Sequence, residues 1–173
     1  KISRNIVKER QESPIKTIPD LIKIIKKSKR KNFKKKINLS TQVFQALRIF
    51  VNKEVTELIK GLISATQFLK KGGKIIVITF HSIEDKIVKF FFTNFSSNKS
   101  KTSRYYPENN NKETLFETYK NKIIKPDDQE VEQNNPSRSA KLRYAVRSKD
   151  NFIYPIDFEK KFFHYLELEG TVV

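Results

Sequence analysis

The sequence predicts an α/β fold of the doubly wound kind, and three stretches carry that expectation. The first is Gly72-Gly73-Lys74-Ile75-Ile76-Val77-Ile78-Thr79-Phe80-His81-Ser82-Ile83-Glu84-Asp85-Lys86, which reads as turn, buried strand, polar tip and helix start. The second is the stripe Val55, Leu58, Ile59, Leu62, Ile63 and Leu69, spaced for one face of a long helix. The third is Ala140–Arg147, where small or apolar side chains alternate with mostly basic ones, the period of a strand with one wet face. Helix, glycine turn, strand, helix is the rhythm of a sheet with helices on its faces.

In chain order, residues 1–12 read as the end of a helix, with Ile2, Ile6 and Val7 on one side and Pro14 interrupting it. Thr17-Ile18-Pro19-Asp20 then has a cap, an early proline and an acid three residues on, the marks of a new helix. Its apolar face is Leu21, Ile22, Ile24 and Ile25, and it runs into the basic stretch Lys26–Lys36. Ser40 or Thr41 caps the next helix, whose Val43, Phe44, Leu47 and Val51 lead into the long stripe that Gly72-Gly73 stops. Residues 75–78 are continuously apolar, so the expected strand is buried on both faces in the middle of a sheet. Ser82 with Asp85 resembles an N-cap and its acidic partner, opening a helix through Ile87, Val88, Phe91 and Phe92 to about Phe95. Residues 96–114 are polar and aperiodic, a long surface loop. Leu115–Lys122 alternates weakly as a strand, and Pro126-Asp127-Asp128 opens a short acidic helix. Two late strands so close in sequence suggest an antiparallel edge on a parallel sheet. The tail, 149–173, is expected to hold a short aromatic helix over Asp157–Leu168 that closes the sheet edge or docks a partner.

Composition narrows the function. The chain has no cysteine, which removes disulfides, zinc–cysteine sites and cysteine nucleophiles. It has no methionine and begins at Lys1, so a processed chain or a fragment is expected. No apolar run approaches the ~20 residues of a membrane helix and the start is not a signal peptide, so the expectation is a cytoplasmic protein without membrane contact. The net charge of +17 favours a polyanionic partner, although a lysine-rich composition alone raises it. Much of the surplus falls before residue 37, and the run Lys26–Lys36 reads either as an RNA contact or as a solvated basic loop.

His81, beside Ser82, Glu84 and Asp85 at a strand's carboxyl end, is the first candidate for chemistry. Histidine titrates near neutrality and can take a proton or orient an amine, whereas Ser82 and Asp85 also serve simply as capping residues. His164 lies in the aromatic tail and reads as structural; two histidines 83 positions apart, without cysteines, make a weak case for a metal site, and none is assigned. The glycines are Gly61, Gly72, Gly73 and Gly170, so there is no G-x-G-x-x-G and no P-loop.

Three blocks carry a family resemblance. They are Phe44-Gln45-Ala46-Leu47-Arg48-Ile49 with Val51-Asn52-Lys53-Glu54, then Gly72-Gly73 with Thr79–Lys89, then Asn135-Pro136-Ser137-Arg138-Ser139-Ala140-Lys141-Leu142-Arg143. In order and spacing they resemble the C-terminal half of the MraW (RsmH) family, the S-adenosylmethionine-dependent 16S rRNA cytosine-N4 methyltransferases. Asn38-Leu39 and Ser40-Thr41-Gln42 stand where that family usually has His-Pro and Ala-Thr-Arg, and Lys86 where it has Arg.

The resemblance implies the second half of a class I (Rossmann-like) methyltransferase sheet over 38–148, preceded by the end of a helical insertion over 1–37. The N-terminal, cofactor-binding half lies upstream, so no cofactor residue is assigned here. His81, Ser82, Glu84 and Asp85 would line the substrate side of the pocket, with Thr41, Gln45, Arg48 and Asn52 facing it. Arg138, Lys141 and Arg143 would touch RNA backbone. The partner implied is 16S rRNA in the small ribosomal subunit. A non-catalytic basic RNA-binding or ribosome-assembly module is the competing expectation.

Overall fold

A computed structural model describes residues 1–28, 39–97 and 114–170, which fall into two compact units, Lys1–Glu54 and Val55–Val173. Most of the loop expected over residues 96–114 and most of the basic run Lys26–Lys36 lie outside the described residues.

The first unit contains α1 (Ile2–Glu12), α2 (Ile18–Ser28) and α3 (Leu39–Val51). The start of α2 is the expected capping box: Thr17 Oγ1 accepts from Asp20 N–H at 3.3 Å, and Asp20 accepts from Thr17 N–H at 3.1 Å. The Thr17 bonds hold the Asp20 carboxyl below the usual range. Helices α1 and α2 are tied by Asn5 Nδ2 donating to Ser28 Oγ at 2.8 Å, while Ile24 and Ile25 are buried.

Helix α4 (Glu54–Phe68) belongs to the second unit from Val55 onward and is followed by β1 (Lys74–Thr79) and α5 (Ser82–Asn94). Then come α6 (Asp128–Gln133), a 3₁₀ turn (Asn135–Ser139), β2 (Lys141–Val146) and α7 (Ile156–Gly170). The continuous stripe expected over residues 43–69 is broken, because Lys53 adopts φ +53° and separates α3 from α4. The glycine pair has a mechanical reason. Gly72 sits at φ +77°, and a Cβ on Gly73 would lie 2.8 Å from both the Leu69 side chain and the Lys70 carbonyl oxygen.

Strands β1 and β2 pair antiparallel, from Lys74 opposite Val146 to Thr79 opposite Lys141. Helix α5 packs against both strands and buries Ile87, Val88 and Phe91. One face differs from expectation: Ile76 is 61% and Ile78 55% exposed, so β1 is not buried on both sides among the described residues. Polarity on β2 is also inverted. Its arginines turn inward and Tyr144 turns outward, because each arginine finds acceptors inside. Arg147 donates to the Leu115 carbonyl at 2.8 Å, to Ser148 Oγ at 2.9 Å and to the Asp150 carbonyl at 3.1 Å. The expected strand over Leu115–Lys122 is reduced to single bridges, Phe116 to Ser96 and to Arg147, with Ile124 bridging Leu142 beyond it.

The tail helix α7 packs within the second unit. Phe158 lies 4.5 Å from Phe91, centroid to centroid, and Phe162 meets Phe90 edge-on at 5.5 Å. Glu169 is buried and accepts from the Val55 and Thr56 N–H groups at 3.2 and 2.7 Å, placing a carboxylate on the first turn of α4.

Candidate active site

The polar cluster forms where β1 ends and α5 begins. The cap is His81 rather than Ser82, one residue earlier than the spacing predicts. His81 Nδ1 accepts from Glu84 N–H at 3.3 Å, and the Glu84 carboxylate accepts from the N–H groups of His81 and Phe80 at 3.2 and 2.8 Å. A histidine ring nitrogen reaches N3 as an Asn oxygen would, and the pairing puts acidic groups on a helix N-terminus. His81 Nε2 also lies 3.3 Å from Glu84 Oε1, so both ring nitrogens face Glu84. Ser82, relieved of capping, is exposed at the tip.

Asp85 is engaged elsewhere. It accepts from Lys141 Nζ at 3.0 Å and from Arg143 Nε at 2.8 Å, joining the first turn of α5 to β2. Burial alone would raise its carboxyl, but the bonds from Arg143 and Lys141 outweigh burial and hold it below the usual range. Arg143 is 1% exposed, and its Nη1 also donates to Tyr119 Oη at 2.9 Å and Asn121 Oδ1 at 2.8 Å. Burial would lower the guanidinium and its partners, Asp85 foremost, raise it, with a net upward shift. This arginine therefore braces the interior, whereas the sequence suggested an RNA-facing position. Arg138 is exposed in the 3₁₀ turn and donates to Asn135 Oδ1.

On α3, Thr41, Gln45 and Arg48 recur at helical spacing and share one face, with Asn52 in the turn just beyond its end. Arg48 forks onto Glu54, Nε to Oε1 at 2.8 Å and Nη2 to Oε2 at 3.1 Å, and Asn52 Nδ2 reaches Oε1 at 3.3 Å. Thr41 is exposed and Gln45 half-buried. Sequence reasoning missed Glu54, Tyr119 and Asn121 as organising residues. Asn121, at φ +52°, carries a weak signal, since Asn tolerates the left-handed region; Tyr119 carries none.

Strand, capped corner and antiparallel return strand define an α/β domain that gathers polar groups at the carboxyl end of a strand. The chain belongs to the MraW methylase family, whose model matches residues 1–148. It is 44% identical over 148 residues to a ribosomal RNA small subunit methyltransferase H of Agrobacterium fabrum, covering 86% of this chain and 43% of the relative. Proteins of the same name from Sinorhizobium medicae and Rhizobium johnstonii are each 41% identical over 148 residues, with the same coverage of both chains. The chain thus spans less than half the length of these curated relatives. Residues 149–173, which include α7, lie beyond the family match.

Proposed function

We propose that this chain is the C-terminal part of an S-adenosylmethionine-dependent methyltransferase that acts on the exocyclic N4 of a cytosine in 16S rRNA. The observation that carries the reading is the identity of 44% over 148 residues to a relative named for small-subunit rRNA methylation. The antiparallel β1–β2 pair, with one apolar face left open, suits the second half of a class I sheet whose remaining layers come from elsewhere.

The cofactor does not fit the residues present. Gly72 and Gly73 are committed to the turn before β1, where they exchange hydrogen bonds with Arg147. His81 and Glu84 close on one another. No cofactor contact is assigned to this chain, and its contribution is to the substrate side. His81 and Glu84 fix the corner, Ser82 is the hydroxyl free to meet a base, and Asp85 with Arg143 anchors the corner to β2. Lys141 and Arg138 supply cations to RNA backbone, and Thr41, Gln45 and Arg48 on α3, with Asn52 just beyond it, a further polar set. Positioning of this kind lowers the barrier by holding an unstacked base in reach.

The competing reading, a non-catalytic RNA-binding module in ribosome assembly, is favoured for the isolated chain by the missing glycine cradle. Fusing the chain behind the unmatched N-terminal part of the Agrobacterium relative and supplying labelled S-adenosylmethionine with unmodified 16S rRNA separates the two. Methyl transfer by the fusion and none by the isolated chain supports the methyltransferase reading. A folded, cofactor-binding fusion that leaves rRNA unlabelled supports the module.

A further inference from the structure

The second edge of β2 contains a notch that no function described so far uses. Gly72 N–H donates to the Arg147 carbonyl at 3.0 Å and Arg147 N–H to that of Gly73 at 2.8 Å. By antiparallel alternation, Arg143 and Ala145 also turn their backbone groups toward β1, whereas Leu142, Tyr144 and Val146 turn theirs outward. Along that outer edge, Glu117 N–H reaches the Val146 carbonyl at 2.9 Å, and Ile124 and Leu142 exchange bonds of 3.0 and 2.9 Å. Between these points the chain stands off from β2. No backbone partner for the N–H and C=O of Tyr144 occurs on this edge among the described residues.

The gap is a cavity of about 230 Å³ lined by Thr118, Lys120, Lys122 and Tyr144 among others. It is built rather than accidental. Asn121, in the left-handed region, and Tyr119 both accept from the buried Arg143, which fixes the segment away from the strand. The volume is below the ~300–1,000 Å³ usual for small-molecule sites, so the notch suits one ring and not a whole nucleotide cofactor. Tyr144 is 39% exposed and offers an aromatic face, its backbone offers one donor and one acceptor, and Lys120 and Lys122 are exposed cations.

We propose that this notch receives one unstacked base of single-stranded RNA. The base stacks on Tyr144 and meets its outward-facing N–H and C=O, while Lys120 and Lys122 contact the flanking phosphates. The inference rests on the RNA-substrate reading above and adds a place where RNA outside the reacting base is held.

The test uses the complete 173-residue chain and a thiouridine-labelled single-stranded RNA of about eight nucleotides, within the usual footprint of such sites. The expected cross-link is at Tyr144 or within residues 118–122. Tyr144→Leu should weaken binding by about 5- to 150-fold, the span of one lost stacking contact, whereas Tyr144→Phe should bind as the parent does. Lys120→Gln with Lys122→Gln should reduce the salt slope by up to ~1.4, at ~0.7 per single-strand phosphate. Circular dichroism confirms that each variant is folded. Cross-links confined to other residues, with Tyr144→Leu binding as the parent does, would overturn the notch and leave the RNA reading standing. Failure of the parent to bind any RNA would overturn both. Adenosine monophosphate competing as well as the oligonucleotide would replace the RNA assignment with a small-nucleotide one.

Discussion

Replacing Arg143 by Met is the most informative single change. Met preserves an unbranched apolar stem and removes the cation. Asp85 would then keep only Lys141, and Tyr119 Oη and Asn121 Oδ1 would lose the donor that now lies 2.8–2.9 Å away. Removing one partner of a buried pair costs about 3–5 kcal/mol. Because Lys141 still meets Asp85 at 3.0 Å, the lower end, about 3 kcal/mol, is expected. With the Arg143 side chain 2% exposed, no discount for solvent screening applies. For a domain of this size the loss lowers the melting temperature by on the order of 10 °C. Arg143→Lys keeps the charge but cannot fork to three acceptors, so it should fall between parent and Met variant. Thermal and urea melts give the stability, and RNA binding at several salt concentrations gives the contrast. A Met variant as stable as the parent, with its salt slope lower by about one phosphate contact, would refute the bracing role and return Arg143 to the RNA surface.

Three further outcomes follow from the same geometry. His81→Ala should cost about 0.5–2 kcal/mol as a lost N-cap, and His81→Asn should restore most of it; equal loss in both would assign the ring a role beyond capping. The folded Asp85 value lies below its unfolded one, so its contribution is complete above about pH 4 and is lost as pH falls through the folded value. Asp85→Asn should therefore flatten the acid limb of a stability-against-pH curve, and an unchanged limb would show that Asp85 is not the titrating anchor. Glu169→Ala should lower urea stability by about 2–3 kcal/mol by leaving two α4 N–H groups without their acceptor; a change under about 0.5 kcal/mol would make α7 dispensable.

Local chemistry was legible in the sequence where neighbours alone decide it. The Thr17–Asp20 box, the Gly72-Gly73 turn and the acidic start at Asp127 all form as their residues dictate. The cap at the site was misplaced by one residue because histidine is an uncommon cap, and Ser82 satisfied the usual preference. Alternation identified β2 but not its facing, since which side is buried depends on whether the arginines find acceptors far off in sequence. Only the fold brings Asp85, Tyr119 and Asn121 to Arg143, and no spacing encodes that meeting. The interruption at Lys53 was equally hidden, because the apolar stripe continues through it while the backbone does not.

The proposed function turns on the atom that is methylated. Nucleoside mass spectrometry of 16S rRNA, after incubation with S-adenosylmethionine and the fusion of this chain to the N-terminal part of its Agrobacterium relative, addresses it directly. A single new methylated nucleoside is expected, cytidine bearing its methyl on N4, absent when the isolated chain is used. A methyl group on another base or another cytosine atom, or the same yield from the isolated chain, would contradict it.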